Sequence, residues 1–329
     1  MSVITTVAYS QTRQDSITGK EKFPDSIRQK AVAFAANKFA IARPLNIEFT
    51  TVRPYTYTLN PQEKSFLPGG KVTSFSQLKV SSNINFLRRQ RWMLGATVDY
   101  RFYSIGTEIT DPSANTGKSY YNNYHYYTTA INFTYFAKLF GKTAIYGASL
   151  MGDGSGDGFE RVKGFMYGTV VLKADARTRL TAGAMLNVGP NNQLPALPVF
   201  TYERKFRNDF VLDILLPKQL LLRKYFSNKS RLSVGGEMDQ THFFLKNVTL
   251  LNPAVKYEFQ QVNVNAGLTY ERLLANKFVL TFRTGARVPF NGRFYEKNDV
   301  KNPVFKVSSG TNLYFNVGVS FNPFIKKKK

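Results

Sequence analysis

The sequence predicts an all-β chain closed into a transmembrane antiparallel up-and-down β-barrel of about fourteen strands, with twelve as the alternative. Two rhythms lead to this: short segments alternate apolar with polar residues, and their connections alternate between very short and long. A third observation is negative, since no run approaches the eighteen or more apolar residues of a spanning helix. Barrel strands escape that test because half of their residues are polar, and the mean hydropathy of -0.27 agrees with this.

The segment from Gln261 to Glu271 shows the pattern most clearly. Val262, Val264, Ala266, Leu268 and Tyr270 share one face, and Gln261, Asn263, Asn265, Thr269 and Glu271 the other. A period of 2 is that of a strand. Phe278, Leu280, Phe282, Ala286, Val288 and Phe290 repeat it against Thr281, Arg283, Gly285 and Arg287, and Leu313, Phe315, Val317 and Val319 against Asn312, Tyr314 and Asn316. Further upstream, Ile84 and Phe86 stand against Asn83 and Asn85, and Leu94, Ala96 and Val98 against Thr97, Asp99 and Arg101. Strands are expected near 44–59, 73–87, 92–104, 124–138, 142–151, 160–173, 178–188, 198–206, 209–216, 219–225, 231–244, 255–272, 277–290 and 311–323. The pair on either side of Pro217-Lys218 is the least secure, which is why twelve strands is the alternative.

Residues 1–10 end in Ala8-Tyr9-Ser10, a small-x-small pattern expected of a signal-peptide remnant or a disordered start. Residues 11–43 form an N-terminal periplasmic or plug segment, in which Ile27, Ala31, Phe34 and Ala35 recur at helical spacing, an unstructured tail being the alternative. The barrel occupies 44–325 and a basic tail 326–329. With no cysteine there is neither a disulfide framework nor a thiolate metal site.

Alternation alone leaves open which face meets lipid. A closed sheet of about fourteen strands is too wide for side chains to fill, so an apolar interior would be a void. Aromatics at strand ends, Trp92, Tyr100, Phe102, Phe278, Phe290 and Phe321, with Ala, Val and Leu between them, predict girdles around an outward apolar band. The polar face then lines the lumen, where Glu237, Asp239, Arg283, Arg287, Arg179, Lys163 and Arg101 are expected, with Lys173. Charges of both signs predict bracing ladders or, in an open lumen, an anion-preferring pore.

The short connections and the tail carry +17 of the formal net charge of +24, whereas the long connections, among them 105–123 and 291–310, sum to zero. The basicity therefore belongs to the short-turn rim, which is periplasmic in such barrels. Nucleic acid is excluded as a partner because the aromatics sit on the apolar face, away from the lysines. A rim of Arg and Lys suits anionic lipid or a periplasmic protein.

The pattern resembles the outer-membrane β-barrel proteins of Gram-negative bacteria. Pro195-Ala-Leu-Pro-Val-Phe-Thr-Tyr-Glu-Arg, with Leu215-Leu-Pro-Lys and Leu232-Ser-Val-Gly-Gly-Glu downstream, is similar to an uncharacterised family of such barrels. The resemblance implies fold and location and transfers no activity.

For chemistry the chain offers His125 and His242, near strand ends, without a Gly-x-Ser-x-Gly elbow. Asp153-Gly-Ser-Gly-Asp-Gly matches the first half of a calcium loop, but Gly164 stands where the closing Glu is needed. No catalytic residue, metal or cofactor is expected. The sequence reading is a monomeric, non-enzymatic channel or closed barrel for small polar or anionic solutes. Its alternatives are an interaction barrel for a periplasmic partner or anionic lipid, and an outer-leaflet lipid-modifying enzyme.

Overall fold

A computed structural model describes residues 25–61, 69–111, 116–189, 195–227, 229–246, 254–275, 277–297 and 299–324. The expected signal remnant and the basic tail at 326–329 lie outside these residues. One helix, α1 (Asp25–Lys38), and a single 3-10 turn, Ala40–Ala42, precede an antiparallel sheet that closes on itself. Its strands are β1 (Leu45–Val52), β2 (Tyr55–Pro61), β3 (Gly70–Arg88), β4 (Trp92–Asp111), β5 (Thr116–Leu139), β6 (Lys142–Ser155), β7 (Gly158–Ala174) and β8 (Thr178–Val188). They continue as β9 (Ala196–Lys205), β10 (Phe210–Leu216), β11 (Gln219–Tyr225), β12 (Ser230–Leu245), β13 (Tyr257–Leu274), β14 (Phe278–Glu296), β15 (Asp299–Ser309) and β16 (Asn312–Phe321).

Sixteen segments make fourteen barrel strands. β1 and β2 run on as one strand broken at Arg53-Pro54, where proline removes a ladder donor. They pair in turn with β16 and β15, which form one strand broken at Gly310-Thr311. Fourteen is the number expected, but the long connections are shorter than predicted. Segments 105–111, 116–123, 291–296 and 299–309 continue the ladder as strand. Their turn-forming composition hid a pairing that only the neighbouring strand reveals.

The two faces are those of an inside-out protein. Phe49, Val317 and Phe282 lie side by side in register and are exposed, while Thr50, Asn316 and Arg283, one residue along, turn inward. Asn316 donates to Thr50 Oγ1 at 2.7 Å and Arg283 donates to Asn316 Oδ1 at 3.3 Å. Leu268, Val234, Val98, Ile131, Leu150 and Leu186 extend the exposed apolar band, whereas Asn263, Thr181, Asp99, Ser81 and Gln77 are buried inside. An apolar surface on this scale demands a lipid solvent, since in water it would drive association.

Wall height varies sharply around the barrel. β5 has 24 residues and β4 has 20, but β10 and β11 have seven each. At ~3.3 Å per residue and a tilt near 40°, seven residues rise roughly 18 Å, less than a ~25 Å apolar band. The last bond between β11 and β12 is from the Met238 N–H to the Lys218 carbonyl. Beyond it no strand among the described residues pairs with β12 on that side.

Glycines let the sheet bend there. Gly235, Gly267 and Gly285 stand in one row across β12, β13 and β14. A Cβ on any of them would fall 2.0–2.1 Å from a neighbouring carbonyl oxygen, and Gly235 and Gly285 have φ of +148° and +156°. Buried Tyr314 on β16 is the register partner of Gly285 at the end of the row.

Candidate functional site

The lumen has two storeys. The lower one, at the short-turn end, is a polar chamber of about 110 Å3 lined by Glu48, Lys79, Lys218, Glu237, Asp239 and Arg283 among others. The segment before β1 lines it with Lys38, Phe39, Ala40 and Ile41. Lys38, at the end of α1, forms an ion pair with buried Asp213 and lies 3.6 Å from Glu203, and Asp213 is also held by Arg223 at 2.8 Å. Arg43 is 1 % exposed and reaches Glu271 at 3.1 Å, Ser320 Oγ at 2.5 Å and the Ala36 carbonyl at 2.9 Å. Phe39 packs among Phe165, Met185, Val199 and Leu215. Of the two alternatives for this segment, a helix and an unstructured tail, the helix forms over residues 25–38, but Lys38 and Arg43 give no sequence sign of a target, because their carboxylates are more than 150 residues away.

The charges expected on the lumen wall do face inward, but most are partnered. Arg283 lies 2.9 Å from Glu48 and 4.0 Å from Glu237, and Arg287 donates to Thr241 Oγ1 at 2.8 Å. Arg101 holds Asp99 at 2.7 Å, Arg179 holds Glu203 at 3.2 Å, and Lys163 pairs with Asp153. Asp239 lines the chamber beside Glu237. Lys173 differs from expectation. A bulge between Val171 and Lys173 shifts the alternation, leaving Lys173 exposed at the turn and paired with Asp175 at 3.4 Å.

The upper storey begins where β11 stops. The free edge of β12 would expose the Gln240 carbonyl and the His242 N–H, and an unpaired strand edge inside a protein is costly. Side chains from the far wall satisfy both. Arg101 Nη1 donates to the Gln240 carbonyl at 2.7 Å, and the His242 N–H donates to the Tyr103 hydroxyl at 3.4 Å. Phe243 stacks on Tyr124 with centroids 4.3 Å apart. β12 thus crosses the lumen to meet β4 and β5, strands almost opposite it in the barrel.

The outer ends of β12 and β13 are then clasped to β6 and β7. Arg161 makes two hydrogen bonds to Glu258, both 2.6 Å, with Glu258 fully buried. His242 Nε2 lies 2.7 Å from the same carboxylate. Lys256 pairs with Glu160 and with Asp157 at 3.0 Å, Lys246 with Asp157 at 3.1 Å, and Lys297 with Glu160 at 2.7 Å. Glu258 and Glu160 stand at the outer ends of β13 and β7, and Asp157 in the turn before β7. Burial alone would raise the Glu258 carboxyl, but His242 and Arg161 outweigh it and hold the group below the usual carboxylate range. Glu160 follows the same balance through Lys256, Lys297 and Ser155. Hydrogen bonds from Lys256 and Lys246 lower Asp157.

This clasp absorbs the remaining sequence motifs. Asp153 and Asp157 of the calcium-like loop are engaged by Arg161, Lys163, Lys246 and Lys256, so their carboxylates face cations of the chain. His242 faces Glu258, and Thr241, one residue away, turns to the other side of β12 to receive Arg287. His125 meets the Tyr100 hydroxyl at 2.9 Å on the outer surface. Neither histidine has a nucleophile placed against it among the described contacts.

The six predicted aromatics lie on the outer face in two rows. Trp92, Phe278 and Phe321 stand next to short turns, Trp92 against Phe133 and Phe278 against Phe321 at 5.4 Å. Tyr100, Phe102 and Phe290 lie eight to twelve residues further along their strands, which at the same rise is roughly 20–30 Å. The sequence reading missed Phe140, Phe206 and Phe226, exposed aromatics at three short turns. Phe140 is 94 % exposed at a two-residue turn with Gly141, and both have positive φ.

Together, the apolar exterior, polar lumen and closed antiparallel wall define a transmembrane β-barrel. No protein-family model matches the chain, and no curated protein matches it. Among solved structures it is similar to an outer membrane channel from Pseudomonas putida F1, at 11 % identity and a TM-score of 0.35, over 84 % of this chain and 94 % of that one. The transport unit of the autotransporter AIDA-I from Escherichia coli is similar at 8 % identity and 0.33, over 85 % and 90 %. The toluene transporter TodX from Pseudomonas putida is similar at 10 % and 0.29, over 84 % and 89 %. These likenesses assign no ligand to this chain.

Proposed function

We propose that the chain is a non-enzymatic channel of the bacterial outer membrane for small polar solutes, closed at rest by the segment from α1 to the 3-10 turn. One observation carries this reading: the polar chamber of the lumen is stopped at the short-turn end by a segment outside the sheet, attached to the wall through side chains. Such a stopper can leave without breaking the ladder. The short turns would face the periplasm and the girdle aromatics the headgroups.

Two lysines of the chamber, Lys79 and Lys218, form no ion pair within 4 Å among the described residues and would favour anions in an open lumen, with Glu237 and Asp239 of the same wall opposing them. Arg283 and Arg287, engaged with the wall, brace it. Planar-bilayer recording tests the reading. The parent chain should show little conductance and Lys38→Ala with Arg43→Ala discrete, anion-preferring steps; silence in both would reject it. A second reading, docking of a periplasmic protein or anionic lipid, is favoured by the exposed basic short-turn rim, where Arg88, Arg89 and Arg91 share one turn. Vesicle-binding that rises with anionic lipid content and vanishes when that turn is neutralised would support it.

A further inference from the structure

The upper storey contains a second cavity, of about 270 Å3, whose wall contrasts with the chamber below. On four strands the inward positions change character at one level. Asp99 and Arg101 give way to Tyr103 and Ile105, Lys79 and Gln77 to Phe75, Glu237 and Asp239 to Phe243 and Leu245, and Asn263 and Gln261 to Phe259. A water-filled passage needs no such change. The rings of the wall also pack on one another, Phe243 against Tyr103, Tyr124 and Phe259, and Phe259 against Phe294.

We propose that this cavity binds a small, neutral, ring-bearing apolar molecule with a single hydrogen-bonding group. An apolar wall around unfilled space forfeits dispersion contacts that an occupant of matching chemistry would restore. The volume is nearly twice the ~150 Å3 of an apolar cavity that holds one benzene, so two fused rings fit. Ring faces and edges from Phe243, Phe259, Phe294 and Tyr124 suit a flat aromatic guest better than an alkyl chain. No carboxylate lines the cavity among the described residues, and its one charged lining residue, Lys246, pairs with Asp157, which argues for a neutral guest. Thr107 and Asn122, on adjacent strands, offer the polar contact. Thr241, Gln261 and Ser309 also line the cavity at its polar margin, and a mostly apolar recess with a small number of placed polar groups is the usual form of a small-molecule site.

The site is independent of whether the lumen conducts, so its test and the conductance test can fail separately. The probe is 2-naphthol, titrated calorimetrically into the protein in phosphatidylcholine nanodiscs, with empty nanodiscs as the blank. Saturable one-to-one binding is expected above the blank. Val307→Trp, which fills the cavity from β15, should weaken it at least tenfold, and Thr107→Val, which keeps the shape and removes the hydroxyl, roughly two- to fivefold. n-Octanol should compete at least tenfold more weakly. No saturable heat with the parent protein, undiminished binding to a folded Val307→Trp variant, or n-octanol binding as tightly as 2-naphthol would each overturn the proposal.

Discussion

Glu258→Gln isolates the clasp with almost no change of shape. The parent carboxylate is fully buried and accepts two 2.6 Å hydrogen bonds from Arg161, itself 6 % exposed. Removing one partner of a buried pair costs about 3–5 kcal/mol, because the remaining charge stays desolvated. Asp153, 3.3 Å from the Arg161 Nε, retains part of the compensation, so the low end, ~3 kcal/mol, is expected here. Only the outer ends of β12 and β13 depend on the clasp, so the loss should appear as local opening. At ~1.4 kcal/mol per decade, amide exchange in 239–245 and 257–262 should accelerate roughly a hundredfold or more. Hydrogen exchange by mass spectrometry on the protein in bilayers measures it, with β16 as the internal standard. Unchanged exchange in both segments, or equal acceleration in β16, would refute the clasp.

Three further outcomes follow from the same geometry. Asp157, Glu160 and Glu258 are all depressed in the folded state, so their share of the clasp is present above their unfolded values of roughly 4 and is lost as pH falls through the lower folded ones, whereas burial holds the His242 imidazole below its usual value, so opening is favoured once pH falls below roughly 6.5; exchange in 239–245 should be flat from pH 8 to about 7, apart from its intrinsic pH dependence, rise below about 6.5 and rise further below about 4, and exchange that stays flat down to about pH 3 would contradict this. Leu268→Arg puts a charge on the lipid face and should destabilise by about 2–3 kcal/mol in bilayer unfolding titrations, whereas Asn265→Arg, facing the chamber beside Glu237, should cost under about 1 kcal/mol, and equal losses would invalidate the assigned faces. With Lys118→Cys and Gln90→Cys, only the first should label on intact cells, and labelling of Gln90→Cys alone would invert the orientation.

Legibility in the sequence divides along physical lines. Strand faces were readable because period 2 is imposed locally by the pleat, and the row Phe49, Val317, Phe282 shows the same alternation in register across three strands. What β15 pairs with was not readable, since Asn302-Pro303 reads as a loop until β14 and β2 lie beside it. Inward charges were visible as a class, but their partners were not. Asp99 is the exception, two residues from Arg101 on one face, whereas Glu48, Asp153 and Glu203 are named by register and curvature, which sequence spacing does not encode. The two storeys could have been seen as a change from polar to apolar at alternate positions within one strand, as from Arg101 to Ile105. The clasp could not, because it depends on β10 and β11 being too short and on the bend that this permits β12.

The central claim is that the segment ending at Arg43 stops the lumen and that its departure opens it. The chain has no cysteine, so Lys38→Cys with Asp213→Cys places the only two thiols across the contact between stopper and wall. Combined with Arg43→Ala, this variant should conduct in planar bilayers while its thiols are free and fall silent when a short thiol-reactive cross-linker joins them. Conductance of the same size with the segment tethered would contradict the account.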